Sequence, residues 1–154
     1  MARFLSKSPT ATKKIGSDLA RTIIITKEVY RGARVVTLSG ELGSGKTTFI
    51  KGFTGALAKG RVQSPTFVLM KRFPIHGTGL FRALFHIDAY RLKHAKDGRI
   101  LKLHELFADS ANIVLIEWPE KIAPVLPKRR IRVHFKHRAL RTRDIKIIGL
   151  PIKK

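Results

Sequence analysis

The sequence predicts an α/β fold of three layers, a central mixed sheet flanked by helices. Strand-like apolar segments alternate with segments of helical period, and neither a linker nor an internal repeat divides the chain. With 154 residues it is long enough to bury a core, and it has no cysteine with which to staple one. The missing thiols exclude disulfide scaffolds, zinc ribbons, iron–sulfur centres and cysteine nucleophiles. Residues 1–154 are expected to form a single domain. No apolar run approaches the ~18 residues of a transmembrane helix, and the opening residues lack a signal-peptide stretch, so the expectation is a cytoplasmic protein without a membrane.

Ser8-Pro9-Thr10 opens a helix: a capping serine, proline in the first turn, then Ala11, Ile15, Leu19 and Ile23 at a spacing of four. After Gly32 the short apolar segment Arg34 to Ser39 reads as a strand broken at Gly40. A second helix follows from about Gly45, with Phe49, Ile50, Phe53, Ala56 and Leu57 on one stripe and Gly60 as its stop. Phe67 to Met70 and Leu80 to Ile87 read as strands, separated by a Pro/Gly-containing loop at 74–79. A short helix is expected over about 99–107. Asn112 to Ile116 is a continuous apolar run ending in Glu117, which suits a strand buried on both faces. The segments 130–136 and 143–147 alternate in polarity, as the two arms of a hairpin with one wet face would.

Charge is the compositional extreme: 32 Lys and Arg against 10 Asp and Glu, a formal net charge of +22. The excess is greatest at the C-terminal end, where 119–154 hold twelve cations and two acids. Lys128, Arg129, Arg130, Arg132, Lys136, Arg138 and Arg141 lie on or beside the expected basic strands at about 130–148. Such a surface attracts polyanions at long range, and tRNA is a candidate partner there; a merely solvated face is the bland alternative.

The most specific motif is Gly40-Glu41-Leu42-Gly43-Ser44-Gly45-Lys46-Thr47, which satisfies G-x4-G-K-[ST] between a strand and a helix. Glycines let the backbone curl so that N–H groups over Leu42, Gly43, Ser44 and Gly45 face phosphate oxygens, and the helix N-terminus adds partial positive charge. Lys46 reaches the β- and γ-phosphates, and the Thr47 hydroxyl ligates Mg²⁺. Combined with the element order, this loop makes the expected fold P-loop NTPase-like. ATP is favoured over GTP because no Asn-Lys-x-Asp guanine reader occurs.

Acids to complete the site are few. Glu117 ends the most apolar strand and would sit beside Thr47 as the second acidic position; Asp88 ends another. Glu41 lies within the loop but at a position that usually faces solvent. His134 and His137 fall on opposite faces of one strand and make no metal pair, and no G-x-S-x-G elbow occurs. Trp118 suits either core or a cover over the nucleotide, and residue type alone favours core.

Four segments, Leu38 to Phe49, Ser64-Pro65-Thr66-Phe67, His86-Ile87-Asp88-Ala89-Tyr90-Arg91-Leu92 and Leu115-Ile116-Glu117-Trp118-Pro119-Glu120, resemble in order and spacing the TsaE (YjeE) family of small bacterial P-loop ATPases. The resemblance spans about Thr12 to Ile147. It implies an ATPase component of the machinery that makes N6-threonylcarbamoyladenosine in tRNA, acting with the partner proteins TsaD and TsaB, whose turnover the hydrolysis supports. It further implies that Thr66 belongs to a switch-like segment near the γ-phosphate, that Asp88 is a catalytic or water-organising acid, and that Glu117 ligates Mg²⁺ with Thr47. Trp118 would flank the site, and Thr12 and Arg143 would approach the nucleotide. The chain departs from the family at 93–98, where Lys93-His94-Ala95-Lys96-Asp97-Gly98 replaces an acidic stretch. Two other functions fit the phosphate loop: a small-molecule kinase with Arg138, Arg141 and Arg143 as an arginine lid, or a basic RNA-binding protein with a vestigial loop.

Overall fold

A computed structural model describes residues 1–26, 31–58, 69–77, 79–92 and 102–150. Gly60, the motif at 64–67, the basic stretch at 93–98 and the start of the helix expected from 99 lie outside the described residues.

The strands are β1 (Ala2–Ser6), β2 (Arg34–Ser39), β3 (Met70–Pro74), β4 (Ala83–Asp88), β5 (Asn112–Glu117), β6 (Ile131–Ala139) and β7 (Thr142–Ile148). The helices are α1 (Pro9–Ile25), α2 (Lys46–Leu57) and α3 (Leu103–Ala108). One sheet runs β1-β7-β6-β2-β5-β4-β3. Its centre, β6-β2-β5-β4, is parallel, and antiparallel strands complete both edges.

α1 begins where capping chemistry places it: the Ser8 hydroxyl accepts from the Ala11 amide at 3.1 Å, with proline in the first turn. Its buried stripe, including Leu19 and Ile23, and that of α2, including Phe49, Ile50 and Phe53, cover one face of the sheet. There they meet Val36, Leu38, Ile113, Leu115, Val133 and Ile145. On the opposite face α3 and a 3-10 turn over Pro119–Val125 cover only the β2-β5-β4 half, through Leu103, Ile122 and Leu126. The third layer is therefore partial, and the outer face of β6 and β7 stays exposed at Arg132, Lys136 and Lys146.

Several boundaries differ from the sequence reading. The strand expected to start at Phe67 is described from Met70 and runs to Pro74, and its partner begins at Ala83, not Leu80. α3 occupies Leu103–Ala108 within the expected 99–107 region and runs one residue past it, entered through Lys102 at φ 52°. β1 was not anticipated: Ala-Arg-Phe-Leu-Ser is short and lacks β-branched residues, and it is extended because β7 offers a free edge. Among the described residues, no helix is long and apolar enough to cross a membrane.

Candidate functional site

The loop at 40–45 leaves the C-terminal end of β2 and enters α2. Gly40, Gly43 and Gly45 all have positive φ, at 146°, 74° and 105°. Gly45 is also the N-cap of α2 and supplies no side-chain cap, so the first-turn N–H groups of the helix keep their donors for a ligand. A side chain at Gly45 would be strained by its positive φ and would also press on Arg143, its Cβ 3.0 Å from Arg143 Cδ.

Lys46 is almost fully buried and folded back onto its own loop. Its ammonium donates to the carbonyls of Gly40 (2.6 Å) and Glu41 (2.9 Å) and lies 4.1 Å from the centre of the Trp118 ring. Burial pushes the Lys46 ammonium below the usual lysine range, against the opposing pull of Glu117, Glu120 and Asp88.

Parallel pairing of β4 with β5 sets Asp88 beside Glu117, and pairing of β2 with β5 sets Glu117 beside Leu38 at the mouth of the loop. Both acids thus end adjacent strands next to the start of α2. Glu117 is buried, and its Oε1 lies 2.9 Å from Nε2 of the equally buried His86. The other ring nitrogen of His86, Nδ1, is buried without a partner. Asp88 is half-buried and accepts from the Tyr90 amide at 3.0 Å, capping a 3-10 turn at the edge of the cleft. Trp118 adopts a left-handed backbone conformation (φ 57°) directly after β5, which swings its ring over Lys46 and to 5.0 Å from the Tyr90 ring.

A cleft of about 290 Å³ results, lined by Leu42 to Thr48, Asp88, Tyr90, Glu117, Trp118 and Arg143. It unites Leu42, Gly43, Ser44, Gly45, Lys46, Thr47, Asp88, Glu117, Trp118 and Arg143 from the sequence reading. Glu41 is exposed, as its place in the motif suggested. Trp118 is partly buried, packing against the core on one side and lining the cleft on the other. Thr12 is fully buried outside the lining, its hydroxyl 2.8 Å from that of Ser6 and only its methyl directed at Gly45. Thr66 lies outside the described residues. The basic trio does not gather into a lid: Arg143 reaches the cleft, whereas Arg138 turns to Asp144 at 3.4 Å. Tyr90 and His86 belong to the His86-Ile87-Asp88-Ala89-Tyr90-Arg91 segment, but residue type and spacing alone give neither a role in the site. His86 lies two residues before Asp88 on the same face of β4, and only the β4–β5 register, which pairs it with Leu115, reveals that it meets Glu117 diagonally.

The donor set fits a hard cation. Thr47 offers a hydroxyl and Glu117 a carboxylate, and Mg²⁺ in nucleotide sites takes one or two protein oxygens beside phosphates and water. No group of three or more His, Asp or Glu forms a separate metal cage among the described residues.

A sequence model of the family described as "Threonylcarbamoyl adenosine biosynthesis protein TsaE" matches residues 6–145. The tRNA threonylcarbamoyladenosine biosynthesis protein TsaE of Bacillus subtilis is 34% identical over 139 residues, covering 90% of this chain and 79% of that protein. The protein of the same name from Streptomyces coelicolor is 35% identical over 125 residues, covering 79% and 76%. Among solved structures, Bacillus subtilis YdiB superposes with a TM-score of 0.74 at 29% identity, covering 97% of this chain and 86% of that one.

Proposed function

The chain belongs to the TsaE family, and from that premise we propose that it is the ATP-hydrolysing component of tRNA N6-threonylcarbamoyladenosine synthesis, supporting turnover of a TsaD–TsaB complex. The observation that carries this reading is the convergence of Lys46, Thr47, Asp88 and Glu117 on one cleft at the N-terminus of α2.

Loop and helix N–H groups bind the phosphates, where the helix end favours negative charge. The Lys46 ammonium exchanges the Gly40 and Glu41 carbonyls for phosphate oxygens, and its charge is worth most as negative charge builds in the transition state. Asp88, half-buried at the cleft edge, orients the attacking water. Thr47 and Glu117 would hold Mg²⁺, which when bound offsets phosphate charge. His86 keeps the Glu117 carboxylate pointed to one side through its Nε2 contact. Arg143 brings a further cation across the loop from β7. ATP is preferred over GTP for want of a guanine reader.

Phosphate release, measured with Mg²⁺ and with or without the two partner proteins, tests the reading. Lys46→Ala should slow it about 10²–10³-fold; a folded variant keeping more than half the wild-type rate would remove the loop from catalysis. Asp88→Asn should retain nucleotide binding while losing rate, whereas Glu117→Ala should lose Mg²⁺ dependence. A phosphorylated acceptor in place of free phosphate would make the protein a kinase.

A further inference from the structure

The exposed face of β6, β7 and β1 has no place in the nucleotide chemistry. Strand register sorts its residues: Val133, Phe135, Ile145 and Ile147 point into the core beneath α1 and α2, so Arg132, His134, Lys136, Asp144 and Lys146 point outward. Arg3 and Leu5 of β1 share that side, opposite Lys146 and Asp144. Neighbouring strands lie about 4.8 Å apart and alternate residues along a strand about 6.8 Å apart, so these side chains form a flat cationic lattice. Its one acid, Asp144, is already claimed by Arg3 and Arg138. Burial, then Arg132 and Lys146, push the His134 imidazole below its ordinary value, so the charge of the face comes from arginine and lysine.

We propose that this open sheet face, with Arg132, Lys136 and Lys146 as its cations, docks the phosphate backbone of a folded RNA. The proposal rests on the reading of the chain as a tRNA-modification component and adds the surface that reading lacks. The chemistry of the face favours RNA over an acidic protein. Protein interfaces are anchored by buried aromatic and apolar residues, and here Leu5 is the single strongly exposed large apolar chain on the described strands of this face. Base reading is equally absent, since Phe4 and Phe135 register on the opposite side. A flat array of cations with only Leu5 and half-buried Ile148 as apolar chains and no stacking platform matches a phosphate backbone, bound with little regard to sequence. The structure also revises which cations matter. Strand register brings in Lys146, which pairs with His134 and so stands between Arg132 and Lys136 on the outer face.

The test is fluorescence anisotropy of the full chain with labelled unfractionated tRNA, without nucleotide, from 50 to 200 mM salt. Binding should fall with a log–log slope of roughly −0.7 to −0.9 per phosphate engaged. The triple variant Arg132→Gln, Lys136→Gln and Lys146→Gln should bind at least about tenfold more weakly at 50 mM salt, with a slope shallower by roughly two phosphates. The control variant Lys13→Gln, Arg21→Gln and Lys51→Gln removes the same charge from the exposed side of α1 and α2 and should bind nearly as wild type. Lys146→Gln alone should give a smaller loss of the same sign, which keeps the test open if the triple variant unfolds. Equal losses in the two triple variants, or no loss in either, would overturn the proposal. So would tighter face-dependent binding of polyglutamate or of phosphatidylserine vesicles than of tRNA. Because RNA binding is read without ATP, its failure is separate from failure to release phosphate.

Discussion

Asp144 shows how much one carboxylate can carry in a chain with so few. The Arg3 guanidinium meets it from β1, with Nε at 2.9 and 3.1 Å from its two oxygens and Nη2 also donating to Oδ2, and Arg138 adds a fourth contact. Hydrogen bonding by Arg3 leads in holding the Asp144 carboxyl at about 2, against burial, which pulls it upward. A depressed folded-state value contributes stability above the unfolded pKa, near 4, that is lost as pH falls toward 2. Asp144→Asn should therefore flatten the acid limb of stability. Between pH 5 and pH 2.5, urea denaturation should show wild type losing more stability than the variant; equal losses would show that the pair contributes nothing. At this same scale the phosphate loop, Glu117 and Asp88 were all legible, because their chemistry depends on residue type at fixed spacing. His86 was not, because its partner lies 31 positions away and is chosen by register.

Helices α1 and α2 were legible as elements from their apolar stripes, but their closeness was not. A Cβ at Gly52 would fall 2.0 Å from the Lys13 carbonyl oxygen, and one at Gly16 would fall 2.3 Å from that of Phe49. The two helices touch backbone to backbone at these points, and this seats the start of α2, and with it the loop, against the sheet. Gly55, on the same helix, has nothing within 4 Å. Gly52→Ala should cost about 1–3 kcal/mol by overpacking despite alanine's better helix propensity. Gly55→Ala should be neutral or gain up to about 1 kcal/mol. Chemical denaturation of the two variants decides the matter: equal effects would mean that propensity, not contact, governs this helix. β1 illustrates the converse, an element invisible locally because it is held by cross-strand pairing and the Arg3–Asp144 bridge.

Across the whole molecule the net charge of +22 must be held on a compact body, and self-repulsion opposes folding. Screening should relieve it, since the Debye length falls from about 20 Å to about 8 Å as salt rises from roughly 20 to 150 mM. Thermal melts over that range should show Tm rising by about 3–4 °C for each kcal/mol of repulsion removed. A flat or falling Tm would mean that surface ion pairs, which salt weakens, outweigh repulsion between like charges.

The sequence by itself determined the α/β order, the phosphate loop and the acids that end β4 and β5, because helix caps, apolar periodicity and glycine-rich turns act over a few residues. Only the tertiary structure decided that Trp118, packed against the core, also covers Lys46, that Arg143 lies against Gly45, and that Arg3 joins Lys146 on one open basic face. Those outcomes depend on which strands pair and in what register, and on where the second helical layer stops. Pairing register is set by the packing of the whole sheet, so no short window of residues contains it.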